Sequence, residues 1–289
     1  MEVNTCLGVI GGSGIYKIPG VEVIQEHDIK TPFGSPSGKI VEAQIGTRKV
    51  FFLPRHGVYH QFSPSEVPYQ ANIFAMKCLG VTHLLAVSAV GIMKEDISPG
   101  DMVVPDQIFD RTKGVRPSTF FGNGIVGHMT FADPFTEELR QWILAAAAKH
   151  TNKIYDGGAY ICMEGPQFST RAESEFYRET LKPSVIGMTA IPEAKLAREA
   201  EICYGMLALA TDYDCWHEDE EDVTVEAVLK VLAENAEMAS KIVIELATSI
   251  PKTSQDPHLE AAKYAIITKP EGISREKQEE LGPLFGKYF

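Results

Sequence analysis

Two aspartates lie two positions apart at the end of a strongly apolar segment. Asp212 and Asp214 follow the apolar run 204–210, which predicts a buried strand. Alternate residues of an extended segment point to the same side, so both carboxylates are expected on one face. Burial and mutual repulsion then predict that one of them holds a proton near neutral pH. A metal-binding pair and a turn capped by two aspartates are the alternatives that the spacing leaves open.

Small hydrogen-bonding groups follow four other predicted strands. An arginine–histidine pair comes after the strand 49–53, where a guanidinium fork suits a phosphate and an imidazole adds a donor, although a surface arginine–carboxylate pair would also explain it. A glycine-rich turn after the strand 6–10 offers backbone amides but lacks the lysine of a P-loop. Ligands of α/β sheets gather at the carboxyl ends of strands. The recurrence predicts one phosphate site built from Ser13, Arg55, His56, Ser88, Ala89 and Thr189.

The segment 162–174 joins a Gly-Pro break to the start of a helix. Thr170 and Glu173 have the spacing of a capping box, which by itself explains the pattern. Phe168 also offers a flat face on which a base could stack.

Apolar segments of strand length alternate with amphipathic segments of helix length. The patterns predict strands at 6–10, 49–53, 83–87, 184–186 and 204–210, and helices at 65–79, 137–149, 192–201 and 224–250. Buried strands separated by helices indicate an α/β fold with a mostly parallel sheet flanked by helices. Because no repeat or linker interrupts it, residues 1–267 are predicted to form one domain. Residues 268–289 are charged and contain Pro and Gly, which predicts a surface tail or a subunit-contact arm.

Composition narrows the class of protein. The net charge is −12, with 39 acidic and 27 basic side chains, which argues against a nucleic-acid binder. No apolar run reaches the roughly 18 residues of a membrane helix. The 5 cysteines are odd in number and widely spaced, which is typical of reduced thiols in a cytoplasmic protein.

Together these segments resemble the 5′-methylthioadenosine phosphorylase branch of the trimeric purine nucleoside phosphorylases. The likeness runs from about Gly8 to about Leu246. Its motifs are GVIGGSGIY from Gly8, TPFGSPS from Thr31, PRHG from Pro54, YQANI from Tyr69, PGDMVVPDQ from Pro99, EGPQFS from Glu164 and ATDYDCW from Ala210.

The resemblance implies a single-domain phosphorylase/hydrolase-like fold and a cytoplasmic homotrimer. It implies phosphorolysis of S-methyl-5′-thioadenosine to adenine and 5-methylthioribose 1-phosphate, in methionine and purine salvage. Inorganic phosphate is then a co-substrate, and neither a metal nor an organic cofactor is required. Turnover of adenosine stays open. A phosphorylase for 6-oxopurine nucleosides or methylthioinosine is the alternative, although such relatives place Asn where Asp212 stands.

The resemblance also implies roles for individual residues. The six phosphate residues named above keep that role, and Asp212 and Asp214 become the catalytic pair, at purine N7 and the 6-amino group. Ser169 and Val225 would set specificity, and Ile267 of a neighbouring subunit would close the thioether pocket. The residues that would contact the nucleoside are Phe168, Ser169, Met188, Asp212, Tyr213, Asp214, Val225 and Val228. Gly187 departs from the animal-type pattern, which has Asn there.

Overall fold

The computed structural model describes residues 2–11, 21–217 and 225–289, without the side chains of 225–230 and 232–234. The strands are β1 (Val3–Asn4), β2 (Leu7–Gly11), β3 (Glu22–His27), β4 (Ile40–Ile45), β5 (Arg48–Pro54), β6 (His83–Ile92), β7 (Met102–Val104), β8 (Gln107–Arg111), β9 (Ile154–Asp156), β10 (Ala159–Met163), β11 (Val185–Gly187), β12 (Cys203–Asp212) and β13 (Thr253–Ser254). The α-helices are α1 (Tyr69–Cys78), α2 (Glu137–Ala147), α3 (Arg171–Phe176), α4 (Ala190–Glu199), α5 (Val225–Ser249), α6 (Arg275–Glu280) and α7 (Gly282–Phe285).

Eleven of the described strands form one mixed sheet around β6. Strands β2 and β12 run parallel to β6, and β5 runs parallel to β2. Strand β11 is antiparallel to β6 but parallel to β10. An antiparallel meander, β3–β4–β5, forms one edge. The predicted α/β class with a mostly parallel mixed sheet is confirmed, although the sequence analysis missed six strands of the sheet, which are β3, β4, β7, β8, β9 and β10.

Two hydrophobic cores cover the two faces of this sheet. One includes Ile73 of α1 and Leu196 of α4, and the other includes Ile143 of α2 and Leu246 of α5. The predicted helices are present with shifted ends. In particular, α1 begins at Tyr69 and not at residue 65, because residues 64–67 form a turn.

Strand β6 is longer than predicted. The prediction ended the strand at residue 87, whereas the structure continues it to Ile92, so Ser88 and Ala89 lie inside a strand. The partners change along this strand. Pairing with β2 ends at Ala86 and pairing with β11 begins at Gly91. Residues 87–90 therefore pair with neither strand on that edge, which leaves backbone groups there for other partners.

The C-terminal segment packs against the domain. Leu281, Leu284 and Phe285 are fully or almost fully buried in the same core as α1 and α4. The Tyr288 hydroxyl donates to Glu201 Oε1 at 2.5 Å, and Lys287 Nζ lies 2.6 Å from Glu201 Oε2. The expectation of a surface tail is therefore wrong for this segment, because its apolar side chains complete a core. A role as a subunit-contact arm stays a prediction.

Among the described helices, none combines the length and the apolar character needed to cross a bilayer.

Candidate active site

Asp212 and Asp214 lie at the end of β12, next to β6. Strand β12 ends at Asp212, and Asp214 adopts a left-handed conformation with φ 53°. The backbone N–H of Asp214 donates to Asp212 Oδ1 at 3.0 Å. This hydrogen bond closes an aspartate-capped turn, which was one of the alternatives that the spacing allowed. The extended conformation predicted through Asp214 is wrong, because the chain turns there. The two side chains nevertheless meet beside Gly91, where a Cβ would lie 3.3 Å from Asp212 Oδ1 and 3.6 Å from Asp214 Cβ.

The environment of the pair favours the protonated form of each carboxyl. Burial raises the pKa of Asp212, and the nearby charge of Asp214 adds to that effect. Burial also raises the pKa of Asp214. Three hydroxyl donors oppose these shifts. Thr211 Oγ1 lies 2.6 Å from Asp212 Oδ2, Ser174 Oγ lies 2.6 Å from Asp214 Oδ2, and the Ser169 hydroxyl also lowers the pKa of Asp214. The predicted direction of the pKa shift is thus present at both aspartates.

Helix α3 positions Ser174 beneath Asp214. The predicted capping box is confirmed, with Thr170 accepting from the Glu173 N–H and Glu173 accepting from Thr170. Ahead of this cap lies the base segment, residues 164–169, in which Phe168 is 44% exposed. The Ser169 carbonyl accepts from Cys215 Sγ at 3.4 Å, so the base segment contacts the aspartate turn.

Arg55 joins three elements from a fully buried position. Its Nε and Nη2 atoms donate to the two carboxylate oxygens of Glu193 on α4, at 2.7 and 2.9 Å. Nη1 donates to the Val87 carbonyl of β6 at 3.1 Å, and Nη2 to the Ile10 carbonyl of β2 at 3.3 Å. Burial opposes the charge, but Glu193 outweighs it and raises the pKa of Arg55. The arginine–carboxylate pair is therefore real, but it is buried and not on the surface. Of the five N–H groups of the guanidinium, one on Nη1 has no acceptor among these bonds.

His56 presents an acceptor and not the predicted donor. Its Nδ1 lies 2.8 Å from the Phe62 carbonyl, which can only accept, so Nδ1 carries the proton. Burial and the charge of Arg55 lower the pKa of His56 to about 4. Near neutral pH the ring is therefore neutral, and its other nitrogen, Nε2, can accept a hydrogen bond.

Ser88 and Thr189 meet across two elements. Ser88 Oγ of β6 lies 3.3 Å from Thr189 Oγ1, at the start of α4. The Thr189 N–H donates to the hydroxyl of Tyr160 at 3.4 Å. That hydroxyl fills the space of a side chain at position 187, since a Cβ on Gly187 would lie 2.1 Å from it. Tyr160 thus occupies the volume that an Asn would need at this position.

The remaining predicted residues have varied positions. Ala89 pairs with Leu209 of β12, beside Ser88. Met188 lies between β11 and α4, with its Sδ only 2.5 Å from where a Cβ of Gly165 would be. The Tyr213 ring packs 4.5 Å from the His217 ring. Ser13 lies outside the described residues, and so do the side chains of Val225 and Val228 at the start of α5.

The structure therefore brings two groups of candidates to one region of β6. Asp212 lies beside Gly91, and Thr189 lies beside Ser88, three residues earlier. Three strand residues span roughly 10 Å. Within the described ranges, no three His, Cys, Asp or Glu side chains are grouped so that they could hold a metal ion.

The family model of the phosphorylase superfamily matches residues 7–248. The chain belongs to the phosphorylase superfamily. Its curated relatives in this superfamily include the S-methyl-5′-thioadenosine phosphorylases of Geobacter sulfurreducens, 50% identical over 98% of both chains, and of Chloroflexus aurantiacus, 49% identical over 99% of both.

Solved structures of the phosphorylase superfamily have the same fold. A methylthioadenosine phosphorylase from an Antarctic soil metagenomic library superposes with a TM-score of 0.89, at 42% identity over 98% of this chain and 99% of that one. The methylthioadenosine phosphorylase of Schistosoma mansoni, solved with adenine, gives 0.83 at 36% identity, over 90% of this chain and 96% of that one. The chain therefore belongs to the methylthioadenosine phosphorylase branch that the motifs indicated.

Sequence reasoning missed four residues that support the site. They are distant in the chain from the groups they contact. Two of them, Arg116 and Tyr160, lie in segments for which the sequence predicted no element. One local signal was available, since Glu193 follows Thr189 by only four residues, although the chain is extended at Ile191 between them. The missed residues are Arg116, Tyr160, Ser174 and Glu193.

Proposed function

We propose that this protein cleaves S-methyl-5′-thioadenosine with inorganic phosphate, giving adenine and 5-methylthioribose 1-phosphate. The observation that carries the proposal is the arrangement along β6. Aspartates with raised pKa values lie beside Gly91, and the Ser88–Thr189 contact lies roughly 10 Å away. A ribose fits between a base held beside Gly91 and a phosphate held at the Ser88–Thr189 contact. The names of the relatives support the same substrate.

The reaction follows from the charges that develop. A phosphate oxygen forms a bond to C1′ of the ribose while the bond from C1′ to purine N9 breaks, so the electron pair goes to the base. A protonated carboxyl of the Asp212–Asp214 pair donates its proton to N7, which neutralises the leaving adenine. General-acid help of this kind contributes typically about 10²–10⁴-fold. The ionised partner accepts from the 6-amino group.

The phosphate site supplies orientation more than charge. Thr189 and Ser88 offer hydroxyls, and Arg55 offers its remaining N–H beside the Val87 carbonyl. His56 is proposed to accept a hydrogen bond from a protonated phosphate oxygen through Nε2. Holding the phosphate against C1′ converts a bimolecular attack into an effectively unimolecular one. Neither a metal nor an organic cofactor enters this scheme. Ser13 and Ala89 are the other proposed phosphate contacts.

The base and thioether contacts complete the proposal. Phe168 and Ser169 border the adenine, with Tyr213 between the two aspartates. Met188 lies against the ribose, and Val225 and Val228 line the methylthio pocket. Ser169 and Val225 are the proposed specificity residues. Ile267, which is 61% exposed, is the proposed closing residue from a neighbouring subunit.

We also propose the physiological setting and the assembly state in which this reaction takes place. The reaction would serve methionine and purine salvage in the cytoplasm, with a homotrimer as the working unit. Light scattering during gel filtration tests the assembly, because a trimer has three times the 31.8 kDa mass of the chain. A monomeric mass would remove the role of Ile267.

A two-by-two assay tests the activity. Purified protein is incubated with methylthioadenosine or with inosine, each with and without phosphate, and the released base is separated by chromatography. Adenine released only with phosphate supports the proposal. Release without phosphate would indicate a hydrolase, and preference for inosine would favour the 6-oxopurine alternative. Adenosine as a third substrate measures how far the thioether matters.

A further inference from the structure

Besides Arg55–Glu193, a second buried ion pair lies next to the residues proposed to contact the nucleoside, and it includes none of the proposed catalytic groups. Arg116, only 4% exposed, lies in the chain that follows β8. Its Nε donates to Glu164 Oε1 at 2.9 Å, and its Nη2 donates to the Glu164 carbonyl. Its Nη1 donates to the carbonyls of Met188 and Ile191, each at 2.6 Å. One guanidinium therefore fixes three backbone carbonyls from two separate segments.

Glu164 is bonded on its other side as well. Its Oε2 accepts from the Lys113 N–H at 2.6 Å, and its Oε1 also accepts from the Ser65 hydroxyl. Its pKa is lowered, since these donors and Arg116 outweigh the burial that raises it. The carboxylate thus fixes the position of the guanidinium that it pairs with.

The segments joined by this pair are those proposed to hold the nucleoside. Met188, whose carbonyl Arg116 binds, is the proposed ribose contact. Glu164 begins the base segment, which contains Phe168 and Ser169. The two segments also touch directly, because Gly165 has φ 70° and approaches Met188 Sδ so closely that no side chain would fit there.

We propose that Arg116 and Glu164 are positioning residues that lock the ribose contact and the base segment into one geometry. This inference rests on the proposed function. Neither side chain reaches the substrate; both act through Met188 and the base segment. Without the guanidinium, the carbonyls of Glu164 and Met188 lose this donor and the Ile191 carbonyl keeps only Cys162 Sγ at 3.8 Å, so the two segments are free to shift relative to each other. A misplacement of about 1 Å at a site of this kind costs on the order of 10²-fold in rate.

A second arginine provides a matched control. Arg198 is also 4% exposed, donates to the carbonyls of Thr130 and Asp133, and stacks on an aromatic ring as Arg116 does. None of these partners belongs to the proposed site. Arg116→Met and Arg198→Met therefore each remove one buried guanidinium that binds backbone carbonyls, and they differ in which segments those carbonyls belong to. Arg116→Met also leaves the Glu164 carboxylate without its arginine, and Glu164→Gln controls for that difference.

The experiment compares these variants well below their melting temperatures. We expect Arg116→Met to lower kcat/KM for methylthioadenosine by about 100-fold and Arg198→Met by less than about threefold. Arg116→Lys should recover little, since an ammonium lacks the planar fork. Glu164→Gln keeps the shape but loses an acceptor, so it should lie between the two and serves if Arg116→Met does not fold. Equal losses in the Arg116 and Arg198 variants would overturn the proposal.

Adenine binding by calorimetry separates this inference from the function itself. If the wild type binds adenine but does not cleave methylthioadenosine, the proposed function fails. Positioning is then judged by binding alone, with weaker adenine binding in Arg116→Met than in Arg198→Met as the expected result. If the wild type is active and both variants bind adenine as tightly as it does, with unchanged kcat/KM, positioning by Arg116 is refuted while the function stands.

Discussion

Replacing Glu199 by glutamine should change the unfolding free energy relative to the wild type more favourably at high pH than at low pH. Glu199 ends α4, is 7% exposed, and accepts from the Phe120 N–H at 2.6 Å and the Thr119 hydroxyl at 2.7 Å. Burial raises its pKa from 4.5 to about 7, in spite of these two donors. Its carboxyl is therefore harder to ionise in the folded state than in the unfolded state.

The sign and size follow from proton linkage. Because the folded pKa lies above the unfolded one, the folded state binds more protons between these values. The stability associated with protonated Glu199 is fully present below pH 4.5 and is lost as the pH rises through about 7. At about 1.4 kcal/mol per pKa unit, the full loss is about 3 kcal/mol. Glutamine cannot ionise, so Glu199→Gln should gain about 2–3 kcal/mol on the wild type between about pH 5 and pH 8.

Urea unfolding at these two pH values, at one protein concentration, measures the difference. The exposed Glu271→Gln provides the control, with no expected change in the difference between the two pH values. Because each variant is compared with itself at the two pH values, any loss of hydrogen bonding that is independent of pH cancels. A difference in unfolding free energy between Glu199→Gln and the wild type that is the same at both pH values would refute the reasoning.

Three further substitutions test other parts of the structure. Tyr160→Phe removes the hydroxyl beside Thr189, so the KM for phosphate should rise about 2–10-fold while that for methylthioadenosine stays unchanged; equal changes in both would argue against a local role. Asp212→Asn should lower turnover of methylthioadenosine by about 10²–10⁴-fold with little change in melting temperature, and an unchanged rate would remove Asp212 from the site. Phe285→Ala should cost about 3–5 kcal/mol of unfolding free energy, measured by urea denaturation, and a loss below about 1 kcal/mol would contradict its place in the core.

Local sequence patterns located part of the candidate site. Apolar runs ending in polar residues located Arg55, Thr189 and Asp212, because the period and length of a buried strand are visible in a short window. The strand predicted at 83–87 was too short, because a loop was expected directly after residue 87. Ser88 is a strand residue whose neighbours change along β6, and only the pairing of β2 and β11 with that strand reveals the gap where it lies.

Contacts between distant segments could not be predicted. Arg55 and Glu193 are 138 positions apart, and Arg116 is 72 positions from Met188. Such pairs depend on how the whole sheet is assembled, and no short pattern encodes them. The prediction of a surface tail at residues 268–289 was wrong for another reason. The segment's charged residues and its Pro and Gly suggested a tail, whereas Leu281 and Phe285, four positions apart, present one apolar face to the core.

The pairing of Arg55 with Glu193 has a consequence for how phosphate would reach the proposed site. The guanidinium charge is already matched by the carboxylate, and the whole chain has a net charge of −12, so no long-range attraction draws an anion inward. Ionic strength weakens binding only where there is attraction to screen. Added salt should therefore leave the KM for phosphate unchanged or lower it, which is the opposite of a site that collects anions with unpaired arginines. In the proposed site, phosphate would be held by hydrogen bonds that act only after it has arrived.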